Sequence, residues 1–206
     1  MKIFVFTFCL IFAYFVSSLN PAIILSNLIY KKDIRTLGSK NPGFTNFMRV
    51  FGKKYAWFVF ILDILKSVVI YIVCGALFKH INLSRELGVA YSCFFALMGH
   101  AYPAEYKFKG GKGFLVCLAA TWFMDFKAGI IATAILVIVL LTLKYMSLAT
   151  LLALIGGAAA CFIFKVNTTA SIIFSINVLF VVIRHRQNIK RLILKTEPKF
   201  SFNKSK

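Results

Sequence analysis

The chain has 206 residues, of which 60% are hydrophobic and only 15% charged, and it carries a net charge of +19. A soluble domain runs about 45–50% apolar and about 25% charged, and a body this small has too little interior to hide the excess. An ordinary soluble protein is therefore disfavoured, and disorder is excluded because disordered chains are poor in large apolar residues. What remains is an all-α integral membrane protein, one polytopic domain over residues 1–206.

Seven apolar stretches follow in order, over residues 3–29, 55–78, 83–103, 114–124, 128–143, 147–164 and 168–183. Most are near the 18–25 residues that a spanning helix needs. The fourth is short and is cut from the fifth only by Asp125 and Lys127. The first stretch competes with a signal-peptide reading, since Lys2 precedes an apolar run that reaches Val16-Ser17-Ser18. The run continues through Ile23, Ile24 and Leu25, which favours an uncleaved first span, locally broken at Asn20 and Pro21.

With seven spans, Lys and Arg divide 19 against five between the two sides, and Lys66 falls within a span. The positive-inside rule then places the N-terminus outside and the C-terminus in the cytoplasm. Loops 30–54 and 103–113 and the tail 184–206 share the cytoplasmic side. Merging the fourth and fifth spans would move the tail to the cation-poor side, so the bias also supports the count. Cys9, Cys74, Cys93, Cys117 and Cys161 all lie in apolar runs without CxxC spacing and read as small buried hydrophobes.

Polar residues gather in three segments on that side. Residues 38–49, GSKNPGFTNFMR, pack two hydroxyls, two amides, a guanidinium and turn residues into twelve positions. Taken alone they read as an ordinary turn-rich loop. Residues 99–103 and 107–113, GHAYP and KFKGGKG, put a glycine run just before an apolar helix, where free N–H groups and the helix dipole meet an anion. The spacing is not that of a P-loop, and a flexible loop is the competing reading. Residues 184–192, RHRQNIKRL, leave the last span with Glu197 further on, and a helix there aligns His185 with Asn188. The competing reading is a basic anchor. Jointly the three make an electropositive site suited to more than one phosphate. Asp63 and Lys66, three apart within the second span, read as a pair, with Lys66 within reach of the site.

These segments resemble the three motifs of the bacterial acyl-phosphate:glycerol-3-phosphate acyltransferases, the PlsY family. GSKNPGFTNFMR, GHAYP with KFKGGKG, and HRQNIKRL with TE match in order, spacing and side, as does Leu62-Asp63-Ile64-Leu65-Lys66. The similarity covers essentially the whole chain. Phe44, Ser67 and Phe114-Leu115-Val116 depart from that pattern, where smaller residues are usual, and Phe44 and Phe114, close to the glycine-bearing loops, bear on pocket shape.

The resemblance implies transfer of an acyl group from acyl phosphate to the 1-hydroxyl of glycerol 3-phosphate, the first acylation of phospholipid synthesis. It implies no cofactor, and a monomeric enzyme of the bacterial plasma membrane whose partners are its two substrates and the bilayer; no His/Asp/Glu cluster that would hold a metal is seen in the sequence. The Asn41–Thr45 turn, with Gly43, and the Gly110, Gly111, Lys112 and Gly113 run are expected to hold the acyl phosphate head. Arg49, Lys112 and His185 are expected on the acceptor's phosphate or on developing charge. Ser39 and Asn188 orient the attacking hydroxyl; His185 serves as general base or only as a binding group. Ser39 as a covalent acyl carrier is the lesser alternative. Asn46, His100, Ser147 and Glu197 complete the expected substrate contacts.

Rival readings are weaker. No His-x₄-Asp pattern of acyl-CoA-dependent acyltransferases occurs, and no nucleic-acid-binding motif accompanies the cations. A transporter of a phosphorylated solute would show inverted repeats and polar residues near the midplane, and neither is seen.

Overall fold

The computed structural model describes residues 1–201. Residues 202–206, with the last two lysines of the tail, lie outside the described residues. Within them the chain is helical throughout: α1 (Lys2–Ser18), α2 (Pro21–Tyr30), α3 (Phe44–Phe51), α4 (Lys53–His80), α5 (Arg85–Ala101), α6 (Phe114–Met124), α7 (Phe126–Leu143), α8 (Met146–Ile163), α9 (Thr168–Arg184) and α10 (Arg186–Ile193).

Local sequence sets most boundaries. Asn20 accepts from the Ile23 amide at 3.1 Å and Pro21 opens α2, the proline filling a first-turn position that needs no donor. Ser84, Asp125 and Asn167 cap α5, α7 and α9 in the same way. By contrast α3 and α6 begin on Gly43 and Gly113 with no side-chain cap.

Contacts at the two ends of the bundle give its topology. At one end Phe6 meets Phe78, Arg85 lies over Phe123, and Lys127 lies over Phe164. At the other end lie the α1–α2 break, Gly99, Gly113, Ser147 and His185. The α1–α2 pair, α4, α5, α6, α7, α8 and α9 therefore alternate in direction, as the seven apolar stretches require. Lengths are unequal: four helical segments are long and apolar enough to cross a membrane, over residues 2–30, α4, α7 and α8, and a fifth if α9 and α10, bent by 60°, are taken as one. α5 has 17 residues and α6 only 11, about 17 Å of rise for α6.

The outer surface is apolar, with residues such as Ile3, Phe4, Ile138 and Leu141 mostly exposed, as lipid contact demands. The interior is close-packed on small residues and the five buried cysteines. A second cluster of Ala22, Ile23, Ile34, Phe47, Met48, Ala56 and Val59 fastens α2 and α3 to the start of α4, and so carries the 38–49 loop. Of the eight described non-glycine residues in left-handed conformations, six are lysines, including Lys31 and Lys144 at the ends of α2 and α7.

Phe78, fully buried, packs with ring centroids 4.7 Å from Phe6 and 5.5 Å from Tyr91. Phe78→Ala empties a site far from the polar end, and a loss of about 3–5 kcal/mol is expected. Thermal unfolding in detergent reads this as a lower midpoint, with substrate affinities unchanged.

Candidate active site

The three polar segments meet at one cavity of about 260 Å³. Ser39, Asn41, Gly43, Thr45, Asn46 and Arg49 line it from the first segment. His100, Lys112 and Gly113 line it from the second, and His185, Asn188 and Glu197 from the third, joined by Ser147 at the start of α8. Gly110 and Gly111 do not line it. Their amides donate to the carbonyls of Ala101 and His100, at 3.1 and 3.0 Å, so they close the end of α5 rather than face an anion. A Cβ on Gly111 would also run into the His100 imidazole.

The amides left without acceptors at the cavity belong to helix starts instead. In α3 the amides of Phe44, Thr45 and Asn46 have no intrahelical acceptor, and in α6 the same holds for Phe114 and Leu115. Both helices begin on uncapped glycines at the cavity, and Gly113 takes φ 85°, a left-handed value natural to glycine. Two positive dipole ends therefore converge on one space.

Asn46 lines this wall, but its amide is committed to the loop. Its Oδ1 accepts from the Ser39 amide at 2.8 Å and its Nδ2 donates to the Leu37 carbonyl at 3.0 Å. That bond presents Ser39 at the mouth. Two guanidinium groups fix the neighbouring loops. Arg35, paired with Asp33, donates to the Tyr106 carbonyl at 2.8 Å, and Arg184 donates to the Gly111 carbonyl at 3.0 Å while lying over the Tyr102 ring. The Arg35 guanidinium holds the Asp33 carboxyl below its usual range.

Glu197 is the hub of the third segment. Its Oε1 accepts from Ser147 Oγ at 2.6 Å and Asn188 Nδ2 at 2.7 Å, and its Oε2 accepts from Arg191 Nε at 2.6 Å. Burial works against its charge, but these three hydrogen bonds outweigh it and keep the carboxyl below its ordinary pKa. With Nδ2 facing Glu197, Asn188 turns Oδ1 to the Lys112 ammonium, which donates to it. Burial, and then the nearby charge of Arg191, brings the Lys112 pKa down to about 8. His185 Nδ1 lies 2.8 Å from the Val181 carbonyl. A carbonyl only accepts, so Nδ1 carries the proton and Nε2 keeps the lone pair in the neutral ring.

The rest of the wall is largely apolar, and apart from Phe44 and Phe114 its residues were not singled out in the sequence. Phe44, Trp57 and Phe60 form one side, with centroids 5.3–5.7 Å apart, and Leu136, Leu140 and Met146 the other. In a chain this apolar, no sequence signal separates wall residues from lipid-facing ones. Asp63 also reaches the cavity; Lys66, paired with it at 2.8 Å, does not. Thr150 and Arg191 are further polar lining residues outside the expected set. Among the described residues no cluster of three or more metal-ligating side chains occurs.

Fold and site together define an integral membrane protein with a cation-lined cavity that opens onto an apolar wall. The family model described as "Glycerol-3-phosphate acyltransferase" matches residues 7–195. Among curated proteins, a glycerol-3-phosphate acyltransferase of Vibrio cholerae serotype O1 is 36% identical over 192 residues, covering 92% of this chain and 88% of that protein. One of Thermoanaerobacter pseudethanolicus is 37% identical, covering 92% of each. One of Finegoldia magna is 33% identical, covering 94% of this chain and 95% of that protein. The crystal structure of PlsY (YgiH), an integral membrane glycerol 3-phosphate acyltransferase, superimposes in its glycerol 3-phosphate form with a TM-score of 0.87 at 28% identity, over 95% of this chain and 96% of that one. Its lysophosphatidic acid form gives 0.82 at the same identity, over 96% of both. The chain belongs to the glycerol-3-phosphate acyltransferase family, of the PlsY type.

Lys112 supplies a pH test. Its pKa near 8 in the empty site means that the charged form is complete below pH 7 and is lost as pH rises through about 8. Binding of inorganic phosphate is expected to weaken about tenfold per pH unit above that value, since only the charged fraction binds. Calorimetry between pH 7 and 9.5 checks this, and proton uptake on binding near pH 8.5 is the companion signature.

Proposed function

We propose that this cavity transfers the acyl group of an acyl phosphate to the 1-hydroxyl of glycerol 3-phosphate, giving 1-acyl-glycerol 3-phosphate and inorganic phosphate. One observation carries the reading: two uncapped helix starts and a separate cation group share a single cavity that continues into an apolar wall. The donor's phosphate lies on the starts of α3 and α6, with its hydrocarbon chain along Phe44, Trp57, Phe60, Leu136 and Leu140. The acceptor's phosphate lies on Arg49, Lys112 and the Ser147–Asn188 side, which Glu197 holds in place rather than contacting substrate itself.

The chemistry asks for positioning more than for activation. An acyl phosphate is a mixed anhydride with a good leaving group, so orientation and stabilisation of developing negative charge suffice. The new bond joins the acceptor oxygen to the acyl carbon, and the bond from that carbon to the phosphate oxygen breaks. The hydroxyl proton ends on the departing phosphate. His185 Nε2, with its lone pair, accepts that proton in passing, and Ser39 and Asn188 orient the hydroxyl.

In the same reading the seven alternating segments are seven crossings, with α6 as a short one covered by its neighbours. The cation-rich end, which carries the cavity, faces the cytoplasm of the plasma membrane, and the enzyme acts as a monomer and a single domain.

The test is an assay of the purified protein in detergent, with labelled glycerol 3-phosphate and either palmitoyl phosphate or palmitoyl-CoA. Product is expected from palmitoyl phosphate alone. Ser39→Ala and His185→Ala are each expected to lower kcat/KM by at least 100-fold, the scale of a lost proton-transfer or positioning group. Product from neither donor with a folded protein would return the transporter reading to first place, to be measured as flux in liposomes.

A further inference from the structure

Lys66 is 8% exposed at its side chain and lies outside the cavity, yet its ammonium touches four groups. Asp63 Oδ1 is 2.8 Å away, the Ser17 carbonyl 2.9 Å, the Leu19 carbonyl 3.0 Å and His100 Nδ1 3.2 Å. Both carbonyls have lost their helical donors. Ser17 lies four residues before Pro21, which has no N–H. Leu19 lies four before Ile23, whose amide is taken by the Asn20 side chain. Lys66 replaces both missing donors and so stabilises the break between α1 and α2.

Two connections run from this ammonium to the phosphate-binding turns. At the break, Asn20 Nδ2 donates to the Pro42 carbonyl at 3.2 Å, inside the Asn41–Thr45 turn. On the other side, the His100 carbonyl accepts the Gly111 amide, and the His100 ring packs directly on Gly111. With Nδ1 facing an ammonium, that nitrogen is the acceptor and Nε2 carries the proton.

We propose that Lys66 is a positioning residue for the donor subsite, holding both phosphate-binding turns from one buried charge through Asn20 and His100. The assignment of those turns to the acyl phosphate rests on the function proposed above. The competing role is simple charge compensation for Asp63, and the two roles separate experimentally.

Four variants decide: Lys66→Met, Asp63→Asn, the double Asp63→Asn/Lys66→Met, and Asn20→Ala. Steady-state kinetics with palmitoyl phosphate and glycerol 3-phosphate, each varied at saturation of the other, give both KM values. Thermal unfolding in detergent reports the fold. Asp63 itself lines the cavity, so the double variant is compared with Asp63→Asn. The double variant is expected to regain the thermal midpoint of Asp63→Asn yet keep a KM for palmitoyl phosphate at least tenfold higher, with KM for glycerol 3-phosphate within twofold. Asn20→Ala, which removes only the link to Pro42, is expected to raise the same KM about threefold or more. A double variant whose KM for palmitoyl phosphate returns to the Asp63→Asn value would overturn the proposal in favour of charge compensation. An equal rise in both KM values would overturn it in favour of general loosening. If Lys66→Met does not fold, the double variant and Asn20→Ala carry the test, and an unchanged KM in Asn20→Ala overturns it. A wild-type protein inactive with palmitoyl phosphate would sink the donor reading instead. Inorganic phosphate binding, expected to weaken tenfold in the double variant relative to Asp63→Asn, then tests Lys66 by itself, with unchanged binding overturning it.

Discussion

Binding phosphate at the edge of a hydrocarbon layer requires positive charge that is fixed in place and not already neutralised. The chain has only six acidic residues, and five of them hold a defined partner or cap a helix. Asp33 pairs with Arg35, Asp63 with Lys66, and Glu105 accepts from Ser18. Asp125 caps α7, and Glu86 lies in the first turn of α5. Asp63 and Glu197 are the two carboxylates that line the cavity; Asp63 is held by Lys66, and the oxygens of Glu197 are filled by Ser147, Asn188 and Arg191. Both cavity carboxylates are thus already paired, while Lys112, Arg49 and the open starts of α3 and α6 face the same space. Burial first, and then the nearby charge of Arg191, holds the Lys112 pKa below its ordinary value.

The same constraint explains the arrangement of helices. Cations and free amides come from loops, and loops survive at a membrane surface only where their own polar groups are satisfied. Carbonyls freed at the end of α5 are satisfied by Gly110 and Gly111, and those freed at the α1–α2 break by Lys66. The Tyr106 and Gly111 carbonyls are satisfied by Arg35 and Arg184. The apolar substrate tail asks for less. It needs a wall with gaps, which the aromatic cluster of Phe44, Trp57 and Phe60 supplies beside α7.

Much of this was legible from residue order. Apolar run lengths located the seven helical segments, and Asn20-Pro21 marked the break, because cap and proline chemistry acts over four residues. The three polar segments were legible as one site because all of them fell on one side of the charge count. Other features depend on contacts across the fold. The amides of Gly110 and Gly111 looked free for an anion, yet the chain turns back on the end of α5, whose orphan carbonyls claim them. Asn46 looked like a ligand and is a brace for Ser39 and Leu37, since its helix faces its own loop. The shortness of α6 was legible as a short apolar run, whereas Trp57, Phe60, Leu136 and Leu140 of the apolar wall left no readable signal in a sequence that is apolar nearly everywhere.

The lysines in left-handed conformations carry a consequence of another kind. At Lys31, Lys40, Lys107, Lys144, Lys165 and Lys195 glycine would relax the backbone. The unfavourable conformation amounts to about 1 kcal/mol each. Membrane insertion, however, counts cations along a nascent chain that has no fold and no strain. In the orientation proposed above, five of these six lysines lie on the cytoplasmic side. They serve a step completed before the native backbone exists, and the folded enzyme keeps the residual strain of its own biogenesis.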